Sequence, residues 1–250
     1  MEALYHWCRW LYDDTGINYT ICYDPFDRAR MAEGILTTIE LAATCLVFSV
    51  IIGVVGAWLQ GSRFVWTKRI VQGYIQFFRN TPPLVQLYFF YFALGNLMPR
   101  STNAYGFQEP MLDNFDWAVI ALSFFAGAFN VEIFRSGIEA VPTATVEAAE
   151  ALGYSRLKAY MHIVLPLAFR VALPALNNNL VNLIKTTTIA YAIAVPEMLY
   201  VSNQIWSDNV NVPEMMIFLL LAYVGLVALL VWGMHRWEHA MRIPGYGTAA

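Results

Sequence analysis

Asn178, Asn182 and Lys185 recur at intervals of four and three residues in a stretch otherwise rich in Leu, Val and Ile. On an α-helix this spacing places the three side chains on one face, together with Thr186. Amide groups both donate and accept hydrogen bonds, so the asparagines could bind the ammonium and carboxylate groups of an amino acid. The alternative is a structural role, in which the stripe hydrogen-bonds to a neighbouring helix or Lys185 forms an ion pair. The residues alone leave both interpretations open.

Glu40 is a second polar candidate, because its carboxylate is the one charge in the apolar run of residues 34–60. It could attract a cationic solute or pair with Lys185, but its place near the start of the run favours a solvated position at the membrane interface. Glu132 and Arg135 are three residues apart at the end of another apolar run, and this spacing predicts a salt bridge.

The helices that position these residues are predicted to lie in a lipid bilayer. The chain is 58% hydrophobic and 13% charged, with a mean hydropathy of +0.49, whereas soluble domains carry about 25% charged residues. Its basic residues are spread along the chain, which argues against nucleic-acid binding. Runs long enough to cross the hydrocarbon core occur at 34–60, 80–99, 117–138, 171–196 and 215–234.

The sequence therefore predicts an all-α integral membrane protein with five transmembrane helices. The predicted parts are an N-terminal extracytoplasmic segment at 1–33, one transmembrane domain at 34–245 and a tail at 246–250. Lys and Arg accumulate on the cytoplasmic side of membrane proteins, and ten of the 15 basic residues fall on one predicted face. This asymmetry predicts a periplasmic N-terminus and a cytoplasmic C-terminus.

Residues 142–166, between the third and fourth spans, are too polar for lipid. Thr143 to Leu152 is rich in the helix formers Ala and Glu, Gly153 suits a left-handed helix terminus, and Ser155 suits the cap of a second helix. Pro166 is predicted to close the segment. The small alanines favour a compact helical segment to which another protein could bind closely. The alternative is an amphipathic helix that lies in the membrane interface, which needs a large apolar face.

Three cysteines are present, of which Cys45 lies in an apolar run. Cys8 and Cys22, with thirteen residues between them, could form a disulfide if the N-terminal segment faces an oxidising compartment. The pattern alone favours two unpaired thiols.

The motif EAAEALG, followed by eleven residues and LPLAFR, resembles the EAA loop of ABC importer permeases of type I. RNTPPLVQLYFFYF, VEIFRSGIEAVP and NLIKTTTIA are similar to the polar amino acid permeases of the histidine, glutamine and glutamate type. The resemblance implies a cytoplasmic coupling helix that contacts the ATPase subunit through Glu147, Ala148, Ala149 and Gly153.

The resemblance also implies partners: a second permease subunit, two copies of a cytoplasmic ATPase subunit and a periplasmic substrate-binding protein. ATP and Mg would be bound by the ATPase, and no cofactor or metal by this chain, which is therefore not expected to be an enzyme itself. Gly56 and Gly61 have the glycine spacing of a phosphate-binding loop, but Ser62 and Arg63 follow where Lys and Ser/Thr are needed.

The cargo implied is a polar amino acid, with acidic or amide side chains favoured by the C-terminal MRIPG; an opine, a betaine or a cystine-like solute is the alternative. The family commonly has Gly-Gln where this chain has Ala144 and Thr145, and this divergence favours a heterodimer of permeases. It often has Lys-Asp-Thr-Ser where this chain has Lys185 and three threonines, and both departures leave the cargo open.

Two other classes of membrane protein fit the sequence less well. A secondary transporter would usually show an internal repeat, which is not visible in the sequence. An intramembrane enzyme would need converging catalytic groups at membrane depth, yet the histidines fall at or outside the predicted interfaces, and the pair His235 and His239 has no Glu at the position that an HExxH metal motif requires.

Overall fold

The computed structural model describes residues 2–102 and 106–241, which are predominantly helical. Its α-helices are α1 (Glu2–Thr15), α2 (Thr20–Tyr23), α3 (Pro25–Gln60), α4 (Val65–Asn80), α5 (Pro83–Tyr88), α6 (Asn114–Glu139), α7 (Thr143–Ala151), α8 (Arg156–Ala159), α9 (Leu165–Thr186), α10 (Met198–Asn209) and α11 (Val212–Met241). A short antiparallel ladder pairs β1 (Arg100–Thr102) with β2 (Gln108–Pro110), so the predicted all-α fold carries one small hairpin.

Within the described residues, four helices are long and apolar enough to cross a membrane, at Pro25–Gln60, Asn114–Glu139, Arg156–Ile193 and Val212–Ala240. They confirm four of the five predicted spans, including the two that continue past Glu132 and Lys185. The predicted span at 80–99 corresponds to Pro83–Leu97, which is shorter than a spanning helix.

The prediction that Pro166 closes the polar segment is wrong. The helical segment that begins at Arg156 continues without interruption to Ile193. A π-helical turn at Tyr160–Val164 directly precedes α9, so Pro166 falls in the first turn of α9. A π turn shifts the register of backbone hydrogen bonds, and a helix tolerates proline in its first turn.

The chain divides into two compact units. The first consists of Met1–Thr44, Pro83–Ala121 and Ile184–Ala228. Its core is formed by Met31, Met198, Val201, Ile205 and Met215. In this unit the N-terminal segment is held by hydrogen bonds between its backbone and two side chains near α11. The Asn18 amide donates to Glu214 Oε1 at 2.8 Å, and Asn211 Nδ2 donates to the Asn18 carbonyl at 2.8 Å.

The second unit consists of Cys45–Pro82, Leu122–Leu183 and Leu229–Ala250. Glycines let its helices approach closely, as small residues do between membrane helices. A Cβ added at Gly56 of α3 would overlap the Val131 side chain of α6, so this glycine packs against a helix and is not part of a phosphate-binding loop. A Cβ at Gly137 of α6 would lie 2.6 Å from the carbonyl oxygen of Ala168.

Gly137→Ala is therefore expected to destabilise the protein by about 1–3 kcal/mol, the usual cost of overpacking, because a backbone carbonyl cannot rotate away. Gly73→Ala is the matched control, since Gly73 also lies in a helix and its Cβ would have no neighbour within 4 Å. The measurement is the unfolding temperature of each variant in detergent. Equal temperatures would contradict the close contact of α6 with α9.

Candidate functional site

Up to Ser155, the segment after α6 folds largely as the sequence predicts. Helix α7 ends one residue earlier than expected, at Ala151, and Gly153 adopts φ +86°. The Gly153 amide donates to the Glu150 carbonyl at 2.9 Å and the Tyr154 amide to the Ala149 carbonyl at 3.1 Å, the hydrogen bonds of a Schellman terminus. Ser155 then caps α8 by accepting a hydrogen bond from the Lys158 amide.

The four residues expected to contact an ATPase differ in their exposure to solvent. Glu147, Ala148 and Gly153 are exposed, whereas Ala149 is 3% exposed. Ala149 therefore serves packing, not surface contact.

Sequence reasoning missed the apolar side chains that surround Gly153. Leu152 is 80% exposed and Leu157 is 72% exposed, with Tyr154 between them. Leu152 is the C-cap of α7, Tyr154 lies between the two helices, and Leu157 lies in the four-residue α8, which is too short for helical periodicity to give a signal. Large apolar residues this exposed form a surface suited to a protein partner.

The polar stripe on α9 has the predicted geometry. Asn178, Asn182 and Lys185 are exposed and Thr186 is partly buried, while the flanking Leu183 and Ile184 are buried. The stripe therefore faces away from the packed side of the helix.

A buried polar network in the second unit was missed. Asn179 Nδ2 donates to Asn130 Oδ1 at 2.7 Å and to the Ala126 carbonyl at 3.1 Å, and Asn130 Nδ2 donates to Ser49 Oγ at 3.2 Å. Asn179 and Asn130 are both buried. Asn130 is a single amide in an apolar stretch and Asn179 is the last of three consecutive asparagines, and neither pattern distinguishes a structural interhelical contact from a pathway.

Glu40 is exposed, and no ion pair joins it to Lys185 within the part of the chain that the structure describes. The polar group that matters structurally in this stretch is Thr38, which is fully buried. Its Oγ1 accepts a hydrogen bond from the Met198 amide at 2.9 Å, which joins α3 to the start of α10.

Glu197 is a buried carboxylate that sequence reasoning missed. It is 0% exposed and caps α10 by accepting from the Leu199 amide at 2.9 Å and the Tyr200 amide at 2.8 Å. Tyr223 Oη donates to Glu197 Oε2, the oxygen that also accepts from the Leu199 amide, at 3.0 Å. Burial raises the pKa of Glu197, and these three hydrogen bonds oppose the shift.

A cavity of about 1050 Å³ lies within the second unit, between the end of α3, one face of α4 and the end of α6. Arg135 there pairs with Glu132 at 2.8 Å, as predicted, and also with Glu139 at 2.7 Å. Lys68, Arg69 and Arg79 line the cavity as well, and among the described residues none of them pairs with a carboxylate. The cavity thus carries a surplus of positive charge that attracts anionic groups.

The guanidinium of Arg79 lies 5.2 Å from the centre of the Phe129 ring, a cation–π contact at the end of α4.

Comparison with known proteins agrees with this architecture. Residues 46–243 match the family described as "Binding-protein-dependent transport system inner membrane component". An octopine transport system permease protein of Rhizobium radiobacter is 32% identical over 84% of this chain and 91% of its own length. A probable glutamine ABC transporter permease protein of Bacillus subtilis is 29% identical over 89% and 97%.

A solved structure titled "Crystal structure of an amino acid ABC transporter with histidines" matches with a TM-score of 0.74. The match has 26% sequence identity and covers 85% of this chain and 94% of the other. The helices described above therefore have the arrangement of an ABC importer permease of type I.

Proposed function

The chain belongs to the family of binding-protein-dependent transport system inner membrane components, and from this premise we propose that it is the permease subunit of an ABC importer for polar amino acids. As a member of that family it is a multi-pass inner membrane protein. The observation that carries the proposal is α7: a short exposed helix between two membrane spans, closed by a left-handed glycine and surrounded by exposed apolar side chains.

Helix α7 is the coupling helix in this proposal. Glu147, Ala148 and Gly153 contact the ATPase subunit, and Leu152 and Leu157 extend the contact. Ala149, from inside, holds α7 against the spans. When two ATPase subunits close on ATP and Mg, this helix transmits the movement to the membrane helices.

A fifth span at the apolar helix Pro83–Leu97 completes the proposed bundle. The uncharged run that contains this helix, residues 80–99, has the roughly 20 residues that a span needs. The N-terminus lies in the periplasm and the C-terminus in the cytoplasm, because the basic residues concentrate on the side of the coupling helix.

The route for the cargo is formed with a second permease subunit, since five spans are few for a complete pathway. The divergence at Ala144 and Thr145 favours a related chain over a second copy. A periplasmic substrate-binding protein delivers the solute, and this chain itself binds no cofactor. The polar stripe of Asn178, Asn182, Lys185 and Thr186 lines the route, with Glu40 a solvated residue near its entrance.

An acidic or amide amino acid is the favoured cargo, because the stripe offers amides and one ammonium and no carboxylate. An opine is the second candidate, favoured by the likeness to the octopine permease. Uptake of a labelled amino acid, with unlabelled glutamate, glutamine, histidine and octopine as competitors, separates the two.

Asn182→Leu is expected to lower uptake by about tenfold or more, because one to two hydrogen bonds to the cargo are lost. The complex is expected still to assemble. Asn179→Leu is the matched control on the same helix: Asn179 is buried and hydrogen-bonded, so its replacement lowers the amount of assembled complex. Loss of assembly in Asn182→Leu would show that the stripe serves packing between subunits instead.

A further inference from the structure

The N-terminal segment holds a pair of thiols that the transport role does not use. Cys8 of α1 is 1% exposed and Cys22 of α2 is partly buried, and the two helices that carry them pack against each other. Both are free cysteines in the structure. We propose that Cys8 and Cys22 are the site of a disulfide bond that forms after the N-terminal segment reaches the periplasm.

The backbone around both cysteines is held in place by contacts that do not involve sulfur. Asn211 Nδ2 donates to the Asn18 carbonyl at 2.8 Å, and Arg28 donates to the Cys22 carbonyl at 2.6 Å. Arg9, one residue after Cys8, lies 5.4 Å from the centre of the Tyr23 ring, one residue after Cys22. Because α1 and α2 pack together, the two cysteines lie on neighbouring helices, as a disulfide requires.

The order of the chemical steps follows from exposure. Cys22 is the more accessible thiol, so its thiolate attacks the disulfide of an oxidising dithiol protein and forms a mixed disulfide. Cys8 then attacks the sulfur of Cys22, the S–S bond to the oxidant breaks, and the oxidant leaves as a dithiol. Two thiols of this chain lose two protons and two electrons, and the oxidant's disulfide gains them.

The electrostatics of the pair agree with this order. Burial is the main cause that raises the pKa of Cys8 to about 12. A buried thiol that stays protonated is the poorer nucleophile, so the more accessible Cys22 attacks first.

The proposal rests on the proposed orientation of the N-terminus, and the test is the number of free thiols in the whole chain. Cells that express the importer are quenched with acid, and the denatured protein is labelled with a polyethylene glycol maleimide that shifts its mobility once per thiol. Of three cysteines, we expect one label, on Cys45, without reductant and three after reduction. In Cys8→Ser, two labels are expected with or without reductant.

Three labels in the unreduced wild type would overturn the proposal. Loss of the bond in a strain that lacks its periplasmic dithiol oxidase would support it. Uptake is measured on the same cells. Three labels with intact uptake would reject the disulfide and leave the transport role standing. One label without uptake of any amino acid would reject the transport role and leave the disulfide standing.

Discussion

Gly153→Val is expected to abolish coupled transport while the permease still inserts and folds. Gly153 has φ +86°, a conformation that costs an L-residue about 1–2 kcal/mol and is least tolerated by β-branched side chains. The strain would unwind the Schellman terminus and displace Leu152 and Tyr154, the surface that the ATPase is proposed to contact. We expect a loss of uptake of tenfold or more, measured in whole cells together with co-purification of the ATPase subunit.

Gly153→Asn is the matched control, because asparagine tolerates the left-handed conformation, and it should keep most of the uptake. A Cβ at this position would meet no atom of this chain within 4 Å, so the asparagine also fits. Equal uptake by the valine and asparagine variants would show that the conformation of Gly153 does not matter for coupling.

Glu197→Ala is expected to cause the largest loss of stability. The substitution would leave the Leu199 amide, the Tyr200 amide and the Tyr223 hydroxyl without their acceptor in a site that is 0% exposed. Each buried donor left unsatisfied costs about 1–3 kcal/mol. We expect little folded protein after extraction, and Tyr223→Phe, which removes one donor and keeps the helix cap, should be milder. An unchanged unfolding temperature in Glu197→Ala would refute this role.

The same carboxylate should make stability depend on pH. Because its pKa is raised above the ordinary value of 4.5, the folded protein keeps the Glu197 proton at a pH where the unfolded chain has lost it. The resulting stabilisation is complete below about pH 4.5 and is lost as the pH rises through the raised pKa. Glu197→Gln should flatten this part of the curve of unfolding temperature against pH, and a curve parallel to wild type would contradict the assignment.

Features that depend on local chemistry could be predicted from the sequence. Long apolar runs give spans because backbone groups in lipid must bond within a helix. Gly153 and Ser155 mark helix ends through the conformations that only a few residue types favour there. The pair of Glu132 and Arg135 follows from helical spacing alone.

Features that depend on tertiary contacts could not be predicted from the sequence. Asn178 and Asn179 are adjacent and chemically identical, yet one is exposed and the other is buried against Asn130, and only the packing of α6 against α9 decides which. The role of Glu197 likewise depends on Tyr223, which is 26 residues away. Pro166 misled the prediction because a π turn just before it keeps the helix continuous.

The most direct test of ATP-coupled import is ATP hydrolysis by the complex reconstituted in liposomes, measured with its substrate-binding protein either empty or loaded with one amino acid at a time. We expect one class of loaded ligand to stimulate hydrolysis and to accumulate in the liposomes in step with it. Hydrolysis that is indifferent to the loaded binding protein, or accumulation that needs an ion gradient and no ATP, would contradict ATP-coupled import.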